Sequence, residues 1–452
     1  MTPSTSADQR SAMPVSSVAY GPRTEQLLDI TLGNAEMPVG VLRHFKDGPT
    51  ECSEFAIDRR WLNSKRHFTL SPDLRRTTLG QWRRAPGGRG SPVFAALADT
   101  QPDGFASSIL EQVLHDPIIQ SHQMAGHDSS DLLSLCAVHD HCRFGALRIR
   151  PRHPGWTSSE NPIDLPTHVD LAPMLEAIAA FERGHADQRQ LKLLLSSATA
   201  LGGSRPKICF LQEDQTLAVA RFPSVFDEYP VTRAEVLGSM LAKAAGIHVA
   251  EVKLKQPVHL PVAIVQRFDR GEEGGRLAYL SARSLLLAEE GEEVSCMDLL
   301  NGMRTCCKDF NADARQLWRR LMFKLLINNV DARLHKIGFL YSGRDRWQLA
   351  PAINLTPSVK PRPPSTTPRI TELGLRCDVN TLLGLSAAFG LSHAKALGVL
   401  SNLVDVIGRW RTVASQFAVS MKPAEMDGLE GAMNNQHFRQ ARAMLNTFRA
   451  KP

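Results

Sequence analysis

At 452 residues the chain has room for about three domain-sized units. Its 43% hydrophobic and 22% charged residues are ordinary globular usage, which excludes collagen-like, coiled-coil and wholly disordered chains. The 53 Lys+Arg against 46 Asp+Glu leave a net charge of +7, a tilt that permits an acidic partner without announcing nucleic-acid binding.

No run of apolar residues approaches the roughly 18 that a membrane-spanning helix needs, so no membrane segment is predicted. The N-terminal MTPSTSADQRSAMPVSSV has no basic start followed by an apolar run, so no secretory signal is expected. Its Ser, Thr and Pro cannot bury a core, and residues 1–18 read as a disordered tail. Eight cysteines scattered through such a chain read as reduced thiols in the cytoplasm.

Residues 19–152 mix short alternating segments with turns. GVLRHF, EFAI and GALRIRP have the alternation of strands. RRTTLGQWRRAPGGRG (75–90) is a basic, glycine-rich loop that could face an acidic surface, DNA included, or simply be solvated. Cys136, His139, His141 and Cys142 include zinc-ligand types, but spacing this compressed matches no standard finger or ribbon; a strand and turn rich in these residues is the alternative.

HPGWTSSENPID (153–164) has linker composition. LAPMLEAIAAFERG (171–184) has helical spacing and a Gly suited to a C-cap. Next come a glycine-containing loop, LGGSRPK, an apolar strand, and a second strand, TLAVARF, after the turn EDQ. A helix, RAEVLGSMLAKAAG, and a third strand, PVAIVQ, complete a pattern suited to a nucleotide-holding lobe over 153–280.

From 281 to 452 the chain reads as mostly helical. LWRRLMFKLLINN places Leu317, Leu321, Met322, Leu325 and Leu326 on one stripe. IGFLYS and RWQLAPAINL then form a hairpin around GRDR, and KPRPPSTTPR (360–369) is a Pro-rich mobile stretch.

Gly202 and Gly203 lack Cβ atoms, so their backbone N–H groups can approach phosphate oxygens, and Lys207 would add charge; a bare Gly-Gly turn is the alternative. Arg221 ends the second strand and Glu235 follows fourteen residues later on the helix. A strand cation paired with a helix glutamate is how a kinase positions its phosphate contact, although an ordinary surface ion pair has the same spacing. Asp331 sits in a polar loop between a long helix and a hairpin, where a carboxylate can take a proton from a substrate hydroxyl.

LGGSRPK, VARFPS, QRFDR, INNVDARLHKIGFL and WQLAPAINLTP occur in an order and spacing that resemble the HipA family, the Ser/Thr protein kinase-like toxins of bacterial type II toxin–antitoxin modules. FAALADTQPDGF (94–105) and GALRIRP resemble that family's N-terminal domain, so the likeness runs from about residue 38 to 430. The resemblance implies an α+β, two-lobed, kinase-like fold with an N-terminal β-rich subdomain and a helical C-terminal lobe. It implies ATP and Mg²⁺ as cofactors and a helix-turn-helix antitoxin of the HipB type that carries any DNA contact. It also implies a protein substrate such as an aminoacyl-tRNA synthetase. Asp331 would be the catalytic base; Gly202, Gly203, Lys207 and Arg221 would hold phosphates, with Glu235 orienting Arg221.

Four positions depart from the family pattern. Lys336 stands where a metal-binding Asn is usual, Asn354 where a metal-binding Asp is usual, Arg221 where a strand Lys contacts ATP, and Ala200 where a phosphorylated Ser often lies. Asn354 offers a neutral amide oxygen as a poor metal ligand, and Lys336 brings a positive charge that repels a dication. Lys336 could instead neutralise the phosphates itself. Both an active kinase and a catalytically degenerate pseudokinase, binding an antitoxin or translation factor, stay open on these residues.

Overall fold

The computed structural model describes the chain except for residues 1–23, 35, 48–49, 85–90, 116–134, 137, 153–164, 168–169, 199–200, 272–273, 290–291, 330–332, 361–368, 372–373 and 450–452. The tail (1–18), the linker (153–164), Ala200, Asp331 and most of the Pro-rich stretch therefore lie outside the described residues.

The first unit is an antiparallel sheet of β1 (Thr24–Leu32), β2 (Met37–Asp47), β3 (Thr50–Ile57), β4 (Gln81–Arg84) and β5 (Leu147–Pro151), in the order β4-β3-β2-β1-β5. GVLRHF, EFAI and LRIRP fall on strands as their alternation predicts. The arginine segment differs from its reading as a loop: Gln81–Arg84 pairs with Phe55–Cys52, and Trp82 stacks on Phe45 with ring centroids 5.5 Å apart. Aromatic cross-strand packing outweighs the local glycine signal there.

Helix α1 (Phe105–His115) follows, then α2 (Leu171–Glu182) and α3 (Gln188–Ala198). Gly184 takes φ +77 just past α2, the left-handed turn that a C-terminal glycine supplies.

A second antiparallel sheet has the order β6-β7-β9-β8, from β6 (Lys207–Leu211), β7 (Leu217–Arg221), β8 (Val252–Lys255) and β9 (Val262–Gln266). Side chains alternate between its faces. Ile208, Phe210, Ala218, Ala220, Val262 and Ile264 pack against α1, α2 and α3. Cys209, Leu217, Val219 and Val265 face the opposite way, onto Val138 and Cys142 of the first unit. Burial on both faces explains why these strands read as continuous apolar runs. The edge strand β8, whose VKLK alternates half-buried and exposed, escaped the sequence reading.

Helix α4 (Val231–Ala244) lies between β7 and β8 and is stopped by Gly246 at φ +74. Beyond it the chain is richer in strands than its helical periodicity suggests. β10 (Tyr279–Ser281), β12 (Gly338–Gly343) and β13 (Arg346–Leu349) make one small sheet, and β11 (Val294–Ser295), β14 (Arg369–Thr371) and β15 (Gly374–Arg376) another. The GRDR hairpin is present, with Arg344 and Asp345 both at positive φ, the geometry a tight two-residue turn demands.

Helix α5 (Phe310–Leu326) is the centre of the C-terminal region. Its stripe of Leu317, Leu321, Met322, Leu325 and Leu326 is buried, but so are Trp318, Arg320, Phe323 and Lys324, because α6 (His393–Ile407), α7 (Gln436–Arg449) and the β12–β13 hairpin surround it. One apolar cluster runs from Leu28, Phe55 and Trp61 of the first unit to Trp318, Leu403 and Phe438 of the last. Among the described residues no helix is long and apolar enough to cross a membrane.

Candidate phosphate-binding cleft

The loop Leu201–Pro206 connects the end of α3 to β6. Gly203 adopts φ +104, a conformation that L side chains rarely take, so glycine is required by the backbone. Arg205 anchors the loop through two 2.7 Å bonds to the two carboxylate oxygens of Asp227. On its other side the loop meets the PDG turn that opens α1. Asp103 accepts from the Gly203 N–H, and the Phe105 N–H donates to the Gly203 carbonyl at 3.2 Å.

Lys207 and Arg221 are directly opposed in the β6–β7 register. Facing like charges destabilise a strand pair, so other contacts must hold them. Lys207 Nζ donates to the Gly203 carbonyl at 2.7 Å. Burial, together with the nearby Arg221 and Lys336 cations, holds its pKa well below the usual lysine range, with Asp103 and Glu235 acting in the opposite direction. Arg221 Nη1 donates to Glu235 Oε1 at 2.6 Å and to Asn354 Oδ1 at 2.9 Å, while its buried Nε finds no partner among the described residues. The strand cation and the helix glutamate are thus an ion pair inside the fold, with 15% and 6% of their side chains exposed.

Lys336 closes the short 3₁₀ turn Leu334–Lys336. A Cβ built on Gly203 would stand 2.9 Å from Lys336 Nζ and 3.4 Å from Lys207 Nζ, so both ammonium groups flank the same open side of the glycine. Asn354 sits at φ +60, a left-handed conformation that Asn tolerates better than most residues. Its backbone carbonyl accepts from Asn329 Nδ2 at 3.0 Å.

Gly202, Gly203, Lys207, Arg221 and Lys336 line one cleft of about 820 Å³, within the ordinary range for a small-molecule site. Arg83, Arg267, Arg283 and Arg333 also line it, against three acidic residues, Asp99, Asp103 and Glu289. Glu235 and Asn354 reach the cleft through Arg221. Asp331 lies outside the described residues, between Asn329 and Arg333.

These residues suit phosphate oxygens but not a resident divalent cation. The amide oxygen at 354 accepts from a guanidinium, and position 336 places an ammonium at the glycine turn. Among the described residues no three His, Cys, Asp or Glu side chains are grouped to hold a metal. The Cys136–Cys142 cluster is no exception. Cys136, His139 and Cys142 are buried in the packing between the first unit and the second sheet, and burial pushes the Cys136 thiol up to about 12.

Behind the cleft lies a buried ion cluster that the sequence reading missed. Arg267 donates to both carboxylate oxygens of Asp269 at 2.6 Å and to the Cys142 carbonyl at 2.9 Å. Arg270 donates to Asp269 at 2.8 Å, and the Gly145 N–H to Asp269 at 2.7 Å. Burial alone would raise the Asp269 pKa, but the two guanidinium groups hold it far below the usual carboxylate range. QRFDR was legible as a motif; its partners, over a hundred residues away, were not. Asp103 was equally hidden, although PDG is a turn signature.

Residues 199–417 match the model of the HipA-like C-terminal domain. The HipA of Shewanella oneidensis MR-1, solved with HipB and operator DNA, superposes with a TM-score of 0.58 at 15% identity, covering 92% of this chain and 97% of that one. Residues 199–417 are thus similar to a HipA-like C-terminal domain. The likeness to the Shewanella HipA covers nearly the whole chain, and the fold is α+β and kinase-like, with a β-rich N-terminal region. The Helicobacter pylori proinflammatory kinase CtkA is more distant, with a TM-score of 0.41 at 14% identity over 54% of this chain and 95% of that one. No curated protein matches this chain in sequence.

Proposed function

We propose that the chain is the kinase-like toxin of a toxin–antitoxin pair. It binds ATP in the Gly202–Gly203 cleft and transfers the terminal phosphoryl group to a Ser or Thr of a protein substrate, such as an aminoacyl-tRNA synthetase. One observation carries this reading: a glycine turn in a left-handed conformation, a strand lysine and an Arg221–Glu235 pair converge on one cleft in a HipA-like chain. In this reading residues 19–152 form the β-rich subdomain, 153–280 the nucleotide lobe and 281–452 the helical lobe. Asp331 is the base that takes the hydroxyl proton. The protein acts in the cytoplasm with a small helix-turn-helix antitoxin, which makes the DNA contact. The Shewanella HipA was solved with HipB and operator DNA, which supports an antitoxin partner.

The test is transfer of γ-phosphate label to a candidate synthetase and to the protein itself. Asp331→Ala is expected to abolish transfer; wild-type transfer by that variant removes Asp331 from the role. A second reading is favoured by the Asn354–Arg221 hydrogen bond and by Lys336: a pseudokinase that binds nucleotide and holds an antitoxin or translation factor. Absence of transfer by the wild type, with transfer restored in the Lys336→Asn, Asn354→Asp double variant, identifies this reading.

A further inference from the structure

We infer that this cleft holds a nucleotide polyphosphate chain without a divalent cation, with Lys207, Lys336 and Arg221 supplying the charge a metal would bring. The inference rests on the nucleotide reading above and deepens it. Two ammonium groups flank the open side of Gly203, at 2.9 and 3.4 Å from the point where a side chain would begin. That open side is kept free of side-chain volume by a backbone conformation only glycine takes readily, and the cleft extends from it. The third cation, Arg221, lies directly across the strand pair from Lys207.

Three cations this close repel one another, and the strain registers on Lys207, whose charged form is disfavoured by burial, Arg221 and Lys336. An anion between them relieves the repulsion; a dication adds to it. Among the described residues, the two acidic groups that act on Lys207 are engaged already. Glu235 accepts from Arg221, and Asp103 accepts from the Gly203 N–H. The side-chain oxygen of Asn354 accepts from Arg221 as well. Among the described residues, the Glu235 and Asn354 oxygens nearest the cations are thus turned to Arg221, and Asp103 is turned to the glycine turn.

The experiment is calorimetric titration of the full chain with ATP and, separately, with inorganic triphosphate, each in EDTA and in millimolar Mg²⁺. The expected result is ATP binding at least as tight in EDTA as in Mg²⁺, because the metal competes with the protein for the same oxygens. Lys336→Gln should weaken ATP binding about tenfold in EDTA, the loss of one charge-assisted contact, with its melting temperature recorded to establish folding. ATP binding ten or more times tighter in Mg²⁺ overturns the inference and leaves the nucleotide reading standing. Triphosphate binding without ATP binding keeps the metal-free anion site and ends the nucleotide reading. No binding of either anion in either buffer ends both. The wild-type comparison decides the matter even if the variant fails to fold.

Discussion

Asp103 and Gly203 are a hundred residues apart in sequence, and the carboxylate of one accepts a hydrogen bond from the backbone N–H of the other. The N–H groups of a glycine turn make an anion site, and here a side chain from the turn before α1 has taken one of them. A Cβ on Gly202 would stand 3.1 Å from the same carboxylate. A phosphate entering the cleft must therefore displace Asp103 or share the loop with it.

Asp103→Ala should strengthen ATP binding about tenfold, since removing a charge-assisted competitor is worth roughly 1.5 kcal/mol. Fluorescent-nucleotide titration reads the change. Weaker binding by the variant would mean that the carboxylate shapes the loop instead of occupying its site.

Gly203→Ala should cost roughly 1–3 kcal/mol of stability, the usual charge for a non-glycine residue at such a φ, and should also push Lys336 Nζ away from a Cβ only 2.9 Å distant. Urea denaturation measures the first effect and nucleotide titration the second. Unchanged binding would place the phosphates elsewhere in the cleft.

Glu235→Ala leaves Arg221 with a neutral partner, Asn354, in a largely buried site. Removing one member of such a pair costs roughly 2–4 kcal/mol after allowance for its partial exposure. Glu235→Gln should recover part of this, because an amide oxygen can still accept from the guanidinium. Equal stability of both variants and wild type would make the pair a bystander.

Asp99 predicts a pH dependence opposite to that of most carboxylates. It is partly buried in the cleft wall, where burial raises its pKa to about 6 against the hydrogen bonds from Ser281 and Ser284. A raised carboxyl pKa means the folded state holds the proton more tightly than the unfolded one. The stability from this group is full below about pH 4 and lost as pH rises through about 6. Asp99→Asn should raise the melting temperature relative to wild type at pH 7.5 more than at pH 4.5. The same difference at both values would remove Asp99 as the source.

Much of this was legible because it is local. The apolar runs of β6, β7 and β9, the turn between the first two, and the glycines that stop α2 and α4 each carry their signal within a few residues. The Arg221–Glu235 pair was readable for the same reason: a strand end and the following helix are bound to be near each other. What escaped was either short and one-sided, as β8 is, or made by residues far apart, as the Asp103–Gly203 and Asp269–Gly145 bonds are. The β4 strand inside the arginine segment was hidden because its pairing depends on Phe45 beneath Trp82, which no property of residues 75–90 announces. On α5 the amphipathic stripe understated burial, since elements distant in sequence cover its other faces, and Arg320 finds the Ala350 carbonyl at 2.7 Å.

The Arg267–Asp269–Arg270 cluster bears on how this molecule can be cut. The family match begins at residue 199, yet the groups that satisfy Arg267 and Asp269 include Cys142 and Gly145. A fragment trimmed to the recognised segment would lose half the acceptors of Arg267 and Arg270 and the residues that cover them. The piece that sequence comparison picks out is thus smaller than the piece able to stand alone.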